Sequence, residues 1–85
     1  MEIKEIVEAV LQEIDDIITK KHKDFNTNTV DKWIEIVGEE YGEICRALND
    51  KEGKNFITES IQTMAGITLM IKQYLKEHPE LIEKK

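Results

Sequence analysis

The only proline in this chain of 85 residues is Pro79, so nothing ahead of it stops the backbone from running in long helices. Three stretches use that freedom with helical periodicity. Ile3, Ile6, Val7, Val10, Leu11, Ile14, Ile17 and Ile18 recur at spacings of three and four, the signature of one apolar helix face. This predicts a first helix over about residues 2–23, with Lys20, Lys21 and Lys23 in its last turn, where cations suit the helix dipole. The run Phe25-Asn26-Thr27-Asn28-Thr29 favours turns and caps, with Asn28 or Thr29 as N-cap of a second helix over about 30–48. The cluster Asn49 to Asn55 closes that helix in a short exposed turn. A third helix is expected over about 56–77, stopped by the restriction Pro79 places on its predecessor, with residues 80–85 frayed. The fold class expected is all-α: one domain, a three-helix antiparallel bundle that oligomerises.

Oligomerisation enters because a chain this short buries only about 60–65% of the surface its unfolded form exposes. Small domains of that kind gain stability from disulfides, metal or self-association. Cys45 is the single cysteine, which excludes an internal disulfide and any CxxC motif. A formal net charge of −6 argues against nucleic-acid polymers, since no basic stripe is present to displace counterions. No apolar run is long enough to span a bilayer, and acidic residues interrupt each N-terminal apolar stretch, unlike a signal peptide. The expected setting is cytoplasmic, with no membrane partner.

The second helix breaks the separation of polar from apolar residues that the first keeps. Val30, Ile34, Val37, Tyr41, Ile44 and Leu48 form an apolar stripe, which Trp33, Ile36 and Ala47 extend to one side. Glu40 projects from that extension, Glu43 lies at its margin one turn on, and Glu39 points further toward solvent. A carboxylate inside an apolar arc is costly unless it is paired, protonated or bound to a metal. The third helix has a wide apolar arc from Phe56 to Leu75, edged by Glu59, Gln62, Gly66 and Gln73. So wide an arc suggests cover from two directions, one by the domain itself and one by a partner chain.

A short turn makes the second and third helices antiparallel neighbours. The i,i+3 pair Glu40/Glu43 then faces the pair Glu59/Gln62 across the groove. Three carboxylates and one amide oxygen are hard ligands suited to Mg²⁺ or Mn²⁺.

Glu39-Glu40-Tyr41-Gly42-Glu43, with Trp33 ahead of it, resembles the EExxE motif of MazG-type nucleoside triphosphate pyrophosphohydrolases. The second motif of that family, ExxD, is matched by Glu59-Ser60-Ile61-Gln62 in its first residue, with Gln62 standing where the family has aspartate. The similarity covers about residues 21–74. It implies an all-α homodimer or homotetramer and Mg²⁺-dependent cleavage of a nucleoside triphosphate to monophosphate and pyrophosphate. Carried over, Glu40, Glu43 and Glu59, with the amide oxygen of Gln62, are metal ligands, and Glu39 is a supporting carboxylate or helps to orient the attacking water. Gln62 keeps a coordinating oxygen but removes a full charge, which opens the alternative of a catalytically weakened nucleotide-binding module. A structural helical interaction protein is the third reading.

Other residues divide between ordinary and functional roles. Trp33 reads as core, with nucleotide stacking as the alternative. Lys51 and Lys54 are solvent charges or contacts to a phosphate tail. Cys45 reads as a small buried residue. Gly42 and Gly66 each cost about 1 kcal/mol relative to alanine within a helix, which suggests close helix approach, with room for a ligand as the alternative.

Overall fold

A computed structural model of the chain describes residues 1–21 and 28–82, without the side chains of Lys20 and Lys21. The described residues are all-α, with three long helices and no strand. Helix α1 spans Ile3–Asp16 and continues as one π-helical turn, Ile17–Lys21. Helix α2 spans Val30–Asn49, α3 spans Gly53–Glu77, and a 3₁₀ turn follows at Pro79–Leu81. The expected continuation of the first helix to Lys23, the break over 25–27 and the last three tail residues lie outside the described residues. No described helix is long and apolar enough to cross a membrane.

Each start and stop has a local cause. Glu5 accepts a hydrogen bond from the Glu2 N–H at 2.9 Å, satisfying a donor that the first turn of α1 leaves open. At α2 the choice between Asn28 and Thr29 falls to Thr29, whose Oγ1 accepts from the Lys32 N–H at 3.1 Å. The α2–α3 connection is tighter than expected, and α3 begins at Gly53 rather than Phe56. The Lys51 N–H reaches the Leu48 carbonyl and the Glu52 N–H reaches the Ala47 carbonyl at 3.2 and 2.8 Å. That is the Schellman pattern, which places the residue after the cap in the left-handed region. Lys51 takes that conformation, with φ of 59°.

Helix α3 is the hub, packing against both α2 and α1. Its Ser60, Thr63 and Thr68 hydroxyls donate to carbonyls four residues back, at 2.7, 2.7 and 2.8 Å. These hydroxyl donors are thereby satisfied within the helix itself. The core is small: Ile17, Trp33, Ala65 and Leu69 form it, with Val10, Ile14, Ile18, Ile36 and Met70 against them. The two directions of cover foreseen for the third helix are thus supplied in part by α1 and α2 of one chain.

The packing face of α2 differs from the expected one. Trp33 and Ala47 are buried, whereas Ile34, Tyr41 and Leu48, from the expected stripe, are exposed. The reason lies on α3, where Ala65 and Gly66 are small and buried, so α2 settles with its Trp33–Ile36–Ala47 side against them. Cys45, expected to be buried, is exposed as a consequence of the same rotation. On α1 the N-terminal part of the stripe, Ile3, Val7 and Leu11, is also exposed.

Candidate functional site

The rotation of α2 carries Glu40 into the α2–α3 groove. A cavity of about 160 Å³ there is lined by Glu13, Ile17, Trp33, Ile36, Glu40, Gln62 and Gly66. Residues from α1, its π turn, α2 and α3 meet at this point. Gly66 is what lets Glu40 lie flat on α3: a Cβ at that position would come within 3.2 Å of Glu40 Oε1 and 3.4 Å of Val37 Cγ2. Close approach therefore accounts for Gly66, as expected. It does not account for Gly42, where an added Cβ would meet nothing within 4 Å.

One turn further along the groove a second cavity, of about 250 Å³, is lined by Glu43, Arg46, Ala47, Glu52, Asn55 and Glu59. Glu40 and Gln62 thus line one cavity and Glu43 and Glu59 the next, whereas the i,i+3 spacing led to the expectation that all four converge at one point. The four do not share one cavity. Glu43 is engaged within its own helix, since both its carboxylate oxygens accept from Arg46 Nη1 at 3.0 Å. Glu52 accepts from Asn55 Nδ2 at 2.9 Å. Among the described residues, no three His, Cys, Asp or Glu side chains gather closely enough to hold a metal ion on their own.

The remaining candidates are spread out. Glu39 is exposed on the outer side of α2 and Lys54 is exposed in the first turn of α3; neither lines either cavity. Trp33 is 3% exposed and belongs to the core, and it also forms part of the wall of the Glu40 cavity.

The residue that the sequence reading passed over is Glu13. It is half-buried and shares the cavity with Glu40 and Gln62. The signal was available: Glu13 stands three residues after Val10 and four before Ile17, at the margin of the apolar stripe, as Glu40 does on α2. Chemically, the cavity offers two carboxylates and one amide group beside an indole, with a second acidic cavity one turn away.

No family model matches the chain, and no curated protein or solved structure matches it either.

Proposed function

We propose that the chain is a MazG-like, Mg²⁺-dependent nucleotide protein whose site is the α2–α3 groove, with nucleoside triphosphate pyrophosphohydrolysis as its reaction. The observation that carries the reading is the lining of the Glu40 cavity by Glu13 and Gln62. Mg²⁺ is typically held by one or two protein carboxylates and keeps its remaining positions for water and substrate phosphates. Glu13, Glu40 and Gln62 supply hard oxygen donors of that kind, and Glu13 restores the carboxylate that Gln62 lacks relative to the family motif. When bound, the ion neutralises phosphate charge and activates water.

The chain's own groups have definable tasks. Glu13 and Glu40 hold the cation side of the site, and Gln62 contributes a neutral oxygen that lowers its total charge. Glu43 and Glu59 form the neighbouring acidic cavity, where Arg46 offers a guanidinium able to turn from Glu43 to a phosphate oxygen. Trp33 fixes the α2 backbone at one end of the groove by burial in the core. Glu39 is placed to act only if substrate extends along the outer side of α2.

The test is pyrophosphate release from a panel of nucleoside triphosphates with Mg²⁺ or Mn²⁺, comparing the native sequence with Glu40→Gln. Release that depends on Glu40 is the expected result. No release with any nucleotide removes the hydrolase, and calorimetry then decides whether a nucleotide binds without turnover.

A second reading has its own support. Among the described residues Ile3, Val7, Leu11, Ile34, Tyr41 and Leu48 are exposed. Self-association through these stripes would cover them, in an interface of the standard size of about 800 Å² per partner. Sedimentation equilibrium measures it directly, and a monomer at micromolar concentration would refute it.

A further inference from the structure

Two apolar runs on the α2–α3 hairpin keep the alternating three- and four-residue spacing of a coiled-coil seam. On α2 the run is the stripe from Val30 to Leu48; on α3 it is Ile57, Ser60, Met64, Ile67, Ile71 and Tyr74. The large side chains of the α3 run, with Ile34, Tyr41 and Leu48 on α2, are 37–65% exposed. At about 100° per residue both runs turn to one side of the hairpin, away from the side on which Glu40 and Gln62 share a cavity. Val7 borders the α3 run at Met64 and Ile67, and both of these remain more than a third exposed.

The register of the hairpin joins the two runs into one symmetric surface. Val37 and Glu40 both approach Gly66, so that residue stands level with the middle of the stretch between them. The α2 run, from Val30 to Leu48, has its midpoint at Glu39, and the α3 run, from Ile57 to Tyr74, has its midpoint between Ala65 and Gly66. The two midpoints therefore lie side by side, and one twofold axis across the hairpin can pass through both. The surface is also large enough to be an interface. At roughly 200 Å² for a fully exposed large side chain, half exposure leaves on the order of 800 Å² uncovered, the amount a standard interface buries on each partner.

We propose that a second copy of this chain covers this surface, the two hairpins stacking about that axis into an antiparallel four-helix bundle. Within the self-association reading on which this rests, the interface is the α2–α3 side, with Ile3 and Leu11 of α1 outside it. Antiparallel stacking about the common midpoint sets Val37 against Tyr41 between the α2 helices. Between the α3 helices it sets Ile57 against Tyr74, Ser60 against Ile71 and Met64 against Ile67. Each pair joins one seam position to its complement, and the small Ser60 leaves room for Ile71.

Sedimentation equilibrium of the full chain reads the mass, and a dimer is expected at micromolar concentration. Tyr41→Lys and Ile71→Lys, one on each run, are each expected to raise the dimer Kd at least tenfold with helical circular dichroism retained. Leu11→Lys, on α1, is expected to leave it unchanged. The axis is read separately in a Cys45→Ser background with a short bismaleimide. Met64→Cys, close to the axis, is expected to cross-link to its own copy. Ile57→Cys, about 25 Å from its own copy, is expected not to, yet to cross-link with Tyr74→Cys when the two proteins are mixed. A monomeric native chain would remove self-association altogether, and this interface with it. A dimer that Leu11→Lys breaks, or that both lysines on the runs spare, would keep self-association and overturn this face. Cross-linking of Ile57→Cys to itself, or none at Met64→Cys, would overturn it even where a lysine variant loses helix.

Discussion

Glu40 lies against the backbone of Gly66, its Oε1 atom 3.2 Å from where a β-carbon would stand. The second close atom, Val37 Cγ2 at 3.4 Å, is in ordinary contact range, so the carboxylate is the group that must move when a methyl is added. Alanine gains about 1 kcal/mol of helix propensity over glycine, which offsets the crowding. Gly66→Ala should therefore keep stability within about 1 kcal/mol of the native sequence while displacing Glu40. Thermal unfolding with and without Mg²⁺ separates the two effects. A native sequence stabilised by Mg²⁺ and a variant that ignores it are expected. An equal Mg²⁺ response in both would show that Glu40 is not a ligand.

Gly42 carries the opposite expectation. Nothing lies within 4 Å of its added Cβ, so Gly42→Ala should raise stability by about 1 kcal/mol. For a domain of this size that is a rise of roughly 4–8 °C in melting temperature. A fall would instead reveal a second chain packed closely on that face of α2.

Lys51 holds a left-handed backbone, with φ of 59°, which costs a residue with a β-carbon roughly 1–2 kcal/mol. Glycine relieves that cost but loses more chain entropy on folding. Lys51→Gly is expected to stabilise by about 0.5–1 kcal/mol, read from chemical denaturation. Destabilisation would mean that the Lys51 side chain makes a contact worth more than the strain.

Arg46 holds both oxygens of Glu43 at 3.0 Å, yet both side chains are about half exposed or more. Such a pair contributes at most about 1 kcal/mol, so Arg46→Ala should alter stability little. It should strengthen divalent-cation binding at Glu43 and Glu59, because a competing cation has been removed. Isothermal titration calorimetry with Mn²⁺ checks this. Unchanged affinity would mean that the cavity between Glu43 and Glu59 takes no cation.

Helix existence was legible in the sequence because it rests on long periodic runs that no proline interrupts. That Glu40, Glu43, Glu59 and Gln62 lie along one groove was legible for a related reason, since a short turn forces antiparallel neighbours; their division between two cavities was not, because i,i+3 partners sit a full helical turn apart. Rotation of α2 about its own axis was not. It depends on the depth of the partner surface, and Ala65 and Gly66 draw the Trp33 side inward even though Ile34, Tyr41 and Leu48 look equally apolar in the sequence. Glu13 escaped notice because a charge at the edge of an otherwise regular stripe draws less attention than one in its middle. The turn between α2 and α3 came out shorter than expected because Lys51 accepts a conformation usually left to glycine.

The position of α3 as hub also sets the order in which the molecule comes apart. Helices α2 and α3 are joined by a turn closed within its own few residues, so their pairing needs almost no loop closure. Helix α1 must reach across the chain to α3, and its first turns, with Ile3, Val7 and Leu11 exposed, are held by little beyond local hydrogen bonds. Amide protons of α1 should exchange with solvent ahead of those flanking Ala65 and Leu69. Glu13 leaves with α1, so local opening at the N-terminus would dismantle one wall of the acidic cavity while the α2–α3 hairpin still stands.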